Sequence, residues 1–207
     1  MKFHRILETV DHYYSQKVRN HGPTAQGVDW NSTESQELRF EQLLTVCNET
    51  QAISLNDYGC GYGALIEYLT RQGYAFRYCG FDISDDMLAT ANALYGQQKD
   101  QKFTQDASCL QVMDYTIASG IFNVRLKTNH DEWKTYVLHT LDTINELSEK
   151  GFAFNMLTKY SDQEHMRPTL YYADPCMIFD HCKTRFSRHV ALLHDYGLYE
   201  FTMIVRK

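Results

Sequence analysis

The stretch from Ser54 to Leu69, SLNDYGCGYGALIEYL, sets glycines at positions 59, 61 and 63 between an apolar, strand-like run and a helical one. Glycine gives up more backbone entropy on folding than any other residue. Three of them in five positions therefore mark a turn whose backbone must approach something closely or bend in ways that side chains forbid. A strand, a glycine turn and a helix in that order open a βαβ unit, and the rest of the chain has to supply a parallel sheet around it.

The sequence that follows does so. Residues 52–58 read as the first strand and Ala64–Arg71 as its helix. AFRYCGFD (75–82) is a second strand, Ser84 opens a helix through about Tyr95, KFTQD (102–106) is a third strand and YTIASGIF (115–122) a fourth. Residues 131–150 carry Trp133, Val137, Leu138, Leu141, Ile144 and Leu147 on one helical stripe, and GFAFNML (151–157) is a fifth strand. Two further strand-like runs, 189–193 and 199–206, flank HDYG with no room for a helix, so the last strand must return antiparallel as a hairpin. The expected architecture is α/β: a doubly wound, mostly parallel seven-stranded sheet with an antiparallel C-terminal hairpin.

The N-terminal part has a different texture. A helix is expected over residues 3–18, then the polar RNHGPTAQGVDWNSTESQ, in which Ser32 or Thr33 caps a second helix through about Cys47. The chain thus divides into a helical cap, 1–50, and a sheet domain, 51–207, a length sufficient for one full core.

Composition narrows the partners. The net charge is −6 and no Lys/Arg cluster exceeds two residues, which argues against a nucleic-acid backbone and for a small-molecule ligand. No apolar run approaches the roughly 20 residues that span a bilayer. The N-terminus MKFHRILETVDHYY lacks the apolar core of a signal peptide, so the expectation is a cytoplasmic protein without membrane contact, monomeric or homodimeric. The six cysteines form no C-x-x-C pair, as suits reduced thiols. Cys176, His181 and Cys182 lack the paired spacing of structural zinc sites and read as core and surface positions of a helix; no metal is expected.

In a doubly wound sheet the ligand lies beyond the carboxyl ends of the strands, where the strand order reverses. A dinucleotide turn there has the pattern G-x-G-x-x-G. This turn is G-x-G-x-G, with Asp57 two residues before its first glycine. A carboxylate at that point is ill placed for a pyrophosphate and well placed for an ammonium group. The D-x-G-x-G-x-G turn, the acid Asp82 ending the second strand in CGFDIS, and the terminal hairpin together resemble the class I S-adenosylmethionine-dependent methyltransferases, over residues 52–207, about three quarters of the chain.

The resemblance implies a role for each matching residue. Gly59, Gly61 and Gly63 let the backbone pass close to the methionine portion and ribose of S-adenosylmethionine. Asp57 helps to hold the methionine amino group, and Asp82 accepts from both ribose hydroxyls. Ile83 packs on the adenine face, Asp106 in TQDAS accepts from the adenine amino group, and Ala107 donates its N–H. Ser119 and Gly120, at the end of the fourth strand, line the site near the sulfonium. Plainer readings stay open: Asp82 as a cap for the helix starting near Ser84, and Asp106 as a turn residue.

Family members that methylate amino groups of DNA bases or of glutamine carry an Asn/Asp-Pro-Pro-Tyr/Phe run after the fourth strand; ASGIFN has no proline, which again points away from nucleic acid. Tyr13, Tyr14, His21, Trp30 and Arg39 are candidates for a lid. Aromatic faces such as Tyr13 and Trp30 favour a sulfonium cation, and Arg39 suits the methionine carboxylate. His21 is a candidate general base, with an exposed loop histidine as the plain alternative. The insertion TKYSDQEHMRPTLYYADP (158–175) suits an acceptor pocket, with Tyr172 facing the acceptor or, beside Tyr171, packing in the core shell. HGPTAQGVDWNS, ASGIFN and HDYGLYEFTMIVRK are similar to a bacterial subgroup of small-molecule methyltransferases. The expected function is methyl transfer to a small acceptor, at oxygen of a sugar or other small metabolite first, with N-methylation as the other possibility. A non-catalytic cofactor-binding module and a nicotinamide-dependent oxidoreductase are the alternatives.

Overall fold

The structure, a computed structural model, describes residues 3–47 and 52–207. Seven strands form one sheet: β1 (Ile53–Tyr58), β2 (Phe76–Phe81), β3 (Gln101–Thr104), β4 (Met113–Ala118), β5 (Ser148–Leu157), β6 (His189–Leu193) and β7 (Glu200–Arg206). Their spatial order is β3-β2-β1-β4-β5-β7-β6. All neighbours are parallel except β7, which runs antiparallel to both β5 and β6. The order reverses between β1 and β4, and a crevice opens there at the carboxyl ends of the strands.

Local chemistry sets the helices. Ser32 caps α2 (Thr33–Leu44) in a reciprocal box with Ser35, Ser84 caps α4 (Asp85–Tyr95), and Asn129 caps α5 (His130–Glu146). Asp174 caps α6 (Pro175–Arg185), with proline at the helix start, where a missing N–H costs nothing. Phe40, Leu43 and Leu44 of α2 join Leu65, Ile66 and Leu69 of α3 (Ala64–Arg71) on one face of the sheet. Trp133, Val137, Leu141 and Ile144 of α5 cover the other with Ile178 and Cys182 of α6. Burial on both faces explains why these strands read as continuous apolar runs.

The N-terminal helix α1 (His4–His21) buries Ile6 against the α5 side of the core. Phe3, just before it, meets Tyr136 of α5 edge-on, with ring centroids 5.5 Å apart. Its other end reaches α4, where Ser15 Oγ lies 2.7 Å from Ser84 Oγ and Arg19 pairs with Asp86 at 2.7 Å. The helix thus crosses the carboxyl ends of the strands as a strap. No described helix is long and apolar enough to cross a membrane.

The largest departure from expectation is at the end of α5. The helix stops at Glu146, and Ser148–Lys150, expected to be helical, begin β5, with Ser148 opposite Met113 across a register shift. A polar SEK stretch has no strand signature of its own; pairing with β4 overrides it. β4 itself ends at Ala118, leaving Ser119–Phe122 as a turn. The expected boundary between residues 50 and 51 lies outside the described residues.

Candidate active site

A cavity with about 850 Å³ of atom-free space, its mouth included, occupies the crevice at the sheet's carboxyl edge. Asp57, Tyr58, Gly59, Cys60 and Gly61 form its floor with Phe81, Asp82 and Ile83. Ser119, Gly120, Ile121 and Tyr136 make one side, and Val10, Tyr14, Val28, Trp30, Gln36 and Phe40 make the roof.

The glycine turn does two jobs. Gly59 has φ +87°, and a side chain there would stand 2.2 Å from Ile121, so the turn needs glycine both for its conformation and for the close approach of the loop after β4. Gly63 does not line the cavity. It caps α3 at φ +85°, and an added carbon would lie 3.0 Å from the Tyr95 ring of α4. The third glycine therefore serves helix packing.

Two buried carboxylates stand on the floor. Asp82 accepts from Gly61 N at 2.8 Å on one oxygen and from Ser84 N at 2.9 Å on the other. It braces the glycine turn, while the Ser84 hydroxyl caps α4 by accepting from Met87 N. Each carboxylate oxygen keeps acceptor capacity beyond these bonds. Burial pushes the Asp82 carboxyl up to about 6 against the pull of those N–H donors. Asp57 accepts from Tyr78 Oη at 2.7 Å, and burial, helped by the charge of Asp82, raises it to about 7. Burial lifts the phenols around them too: Tyr58 to about 12, Tyr14 and Tyr136 further still. Ser119 Oγ is buried without a hydrogen-bond partner. Buried acids, an unpartnered hydroxyl and aromatic walls fit a ligand that brings a cation and hydroxyl donors.

Several residues singled out in the sequence stand elsewhere. Arg39 is not free for a ligand carboxylate: its guanidinium is paired with buried Glu200, Nε to Oε2 at 2.9 Å and Nη2 to Oε1 at 2.6 Å. Tyr13 points away from the cavity and donates to Asp29, leaving Tyr14 as the wall residue. His21 ends α1 in solvent, where its carbonyl accepts from Thr24 Oγ1. Tyr172 Oη accepts from Arg167 N at 2.9 Å, and Tyr171 is buried against His130; neither reaches the cavity. Asp106 holds its own turn, accepting from Ser108 N and Oγ at 2.9 and 2.7 Å, and neither it nor Ala107 lines the cavity. The insertion is pinned by Arg125, which donates to the carbonyls of Pro168 and Leu170. Among the described residues, Cys176, His181 and Cys182 do not converge as ligands. Sequence reasoning missed Tyr58, Ile121, Gln36, Phe40 and Tyr136. Tyr136 sits one turn beyond Trp133 on α5, and that spacing was its only signal.

Residues 56–141 match a family model described as a methyltransferase domain. The chain belongs to the class I, S-adenosylmethionine-dependent methyltransferases. "Putative methyltransferase Rv1506c" of Mycobacterium tuberculosis (strain ATCC 25618 / H37Rv) is 49% identical over 164 residues, 79% of this chain and 99% of that protein. The fold is shared with magnesium protoporphyrin IX methyltransferase of Synechocystis PCC 6803, solved with bound SAH (TM-score 0.64, 14% identity, 97% of this chain and 99% of that one). It is also shared with the N-methyltransferase NodS of Bradyrhizobium japonicum WM9 in complex with S-adenosyl-L-homocysteine (TM-score 0.66, 15% identity, 95% and 97%).

Proposed function

We propose that the protein methylates a small molecule at oxygen, with S-adenosylmethionine held in the cavity under the α1 strap. The observation that carries this reading is the pair of buried carboxylates, Asp57 and Asp82, on the floor of a roofed aromatic cavity at the sheet's switch point. In the proposed complex Asp82 accepts from the ribose hydroxyls, Asp57 holds the methionine ammonium, and Gly59 and Gly61 let the backbone run beside the cofactor. Ile83 packs on the adenine, with Asp106 and Ala107 beyond the rim as its polar neighbours. Ser119 and Gly120 border the sulfonium end. When bound, the cofactor supplies an electrophilic methyl group. The chain's own contribution is to orient the two reactants, exclude water beneath α1, and keep the acceptor oxygen in line.

The lining chemistry bears on the acceptor. No histidine or lysine is among the described lining residues, and the phenols of Tyr14, Tyr58 and Tyr136 hold their protons well above neutral pH. Apart from Asp57 and Asp82, which this reading commits to the cofactor, the described lining offers no base for an ordinary alcohol. A carboxylic acid, already ionised at neutral pH, needs none, and a phenol needs less help than an alcohol. The two fold neighbours differ in acceptor by their own names, a porphyrin in one and an N-methylation in the other, so the acceptor has to be argued from this cavity. The roofed site and the net charge of −6 also favour a free small molecule over a nucleic acid.

The test is a turnover screen that measures S-adenosylhomocysteine release with matched pairs of phenols or carboxylic acids and aliphatic alcohols, the product's methyl located by NMR. Turnover with the acidic members supports the proposal. Turnover with alcohols alone overturns the preference for an acidic oxygen, and a methyl found on nitrogen overturns the proposal itself.

A further inference from the structure

A charged group sits in the core behind the cavity and takes no part in the floor just described. Glu200, at the first residue of β7, has a side chain 1% exposed. Two residues hold it with three hydrogen bonds. Arg39 of α2 grips both its oxygens in a fork, at 2.9 and 2.6 Å, and Asn155 of β5 donates to Oε2 at 2.8 Å. The amide oxygen of Asn155 in turn accepts from Gly120 N at 2.6 Å. A continuous buried chain thus runs from the helix that follows the roof loop, through two neighbouring strands, to the peptide at the end of β4.

Both ends of that chain meet at Trp30. The guanidinium carbon of Arg39 lies 3.8 Å from the centre of the Trp30 ring. The far edge of the indole lies against Gly120 so closely that a side chain there would come within 2.4 and 2.5 Å of Cζ2 and Cη2. Gly120 itself has φ +75°, a conformation that its hydrogen bond to Asn155 helps to hold. Asp29, the residue before Trp30, is also left-handed, and takes Lys17 Nζ at 2.6 Å and the Tyr13 hydroxyl, both from α1. The roof loop is therefore pinned to the strap on one side and to the core on the other.

Burying such a pair is costly, and apolar residues of similar volume would fill the space with equal or greater stability. What an apolar filling lacks is the ability to fix the Gly120 peptide and the indole face at once. We infer that Arg39, Glu200 and Asn155 are positioning residues for the transfer end of the cavity, setting the Trp30 indole and the Gly120 peptide against each other so that wall and floor meet at one spacing. This inference rests on the cofactor reading above, which sets Gly120 beside the sulfonium.

The chain has two tryptophans, Trp30 and Trp133, and Trp133 is wholly buried in the α5 core. Labelling the full-length protein with 5-fluorotryptophan gives two ¹⁹F resonances, assigned through Trp30→Phe. In Glu200→Gln, which keeps the shape and removes the charge, the Trp30 resonance should shift or broaden while that of Trp133 stays in place. The affinity for S-adenosylhomocysteine should fall about 10-fold, as expected when about one hydrogen bond's worth of contact is lost. Arg39→Lys, which keeps a charge for Glu200 but loses the fork and the stacking, should move the Trp30 resonance the same way if Glu200→Gln fails to fold. Unchanged Trp30 resonance and affinity in whichever variant keeps the Trp133 signal in place would overturn the inference. In wild type, saturating S-adenosylhomocysteine should move the Trp30 line more than the Trp133 line, a check that holds even if both variants unfold, and the reverse order also counts against it. Wild-type protein that binds no S-adenosylhomocysteine sinks the cofactor reading instead, and the variant effect on Trp30 still reports on the chain of contacts.

Discussion

The floor and the roof of the cavity are built by opposite strategies. The floor comes from adjacent strands and the turns after them: Asp57, Gly59, Gly61 and Asp82 lie within 26 residues, and Asp82 bonds to the turn beside it. The roof is assembled from a helix, a 3-10 turn at Ala25–Val28 and a second helix, and Arg39, which ties it to the core, pairs with a residue 161 positions away. A floor of that kind is specified by a short motif. A roof of that kind is specified only once the whole sheet has formed.

Substitutions that weigh one against the other sharpen the contrast. The largest loss is expected at the floor: Asp82→Ala removes the acceptor for Gly61 N and Ser84 N and, with them, the proposed ribose contact, and should weaken S-adenosylhomocysteine binding about 10- to 100-fold by calorimetry. If Trp30→Ala cost more than Asp82→Ala, the roof would be the dominant element and the comparison would reverse.

Asp57 adds a pH signature. Its carboxyl is raised from 3.8 to about 7 by burial, so it enters that range neutral and ionises as pH climbs through it. An ammonium ligand prefers the ionised form, so affinity should rise from pH 5 to pH 8 (test values) and level off. Asp57→Asn should flatten that profile and cost about 10-fold at the alkaline end. The linkage for folding has the opposite sign. Between the unfolded and folded values the native state holds the extra proton, so the ligand-free protein should lose stability as pH rises towards about 7; Asp57→Asn should remove the slope between about 6 and 7 in thermal melts and leave the part that Asp82 contributes below about 6.

Smaller effects separate the two neighbouring tyrosines of the strap. Tyr14→Ala opens the wall and should weaken binding about 5-fold, whereas Tyr13→Phe, which leaves Asp29 to Lys17 alone without touching the cavity, should lower the melting temperature and leave affinity within about 2-fold. Smallest of all, His21→Ala and Tyr172→Phe should leave turnover within about 2-fold, since neither side chain lines the cavity. A large loss at His21 would mean that the strap closes further during reaction.

The same contrast explains what was legible beforehand. Strand, turn and helix order from Ile53 to Tyr95 follows from apolar period, glycine and the Ser84 cap, all of them local. The antiparallel return of β7 follows from the lack of room for a crossover helix. What failed was non-local. Arg39 on the face of an amphipathic helix carries no mark that its partner is Glu200, and Tyr13 and Tyr14 are indistinguishable until the direction of α1 is fixed. Gly63 matched a motif yet supports Tyr95, a packing role that sequence spacing cannot separate from ligand contact. The SEK start of β5 is a strand only because β4 lies beside it.

The most direct test is a crystal structure grown with S-adenosylhomocysteine. The account predicts density beneath α1 with both ribose hydroxyls on the Asp82 carboxylate and the amino group beside Asp57. Density elsewhere, or a ligand in this cavity whose ribose leaves Asp82 untouched, would contradict it.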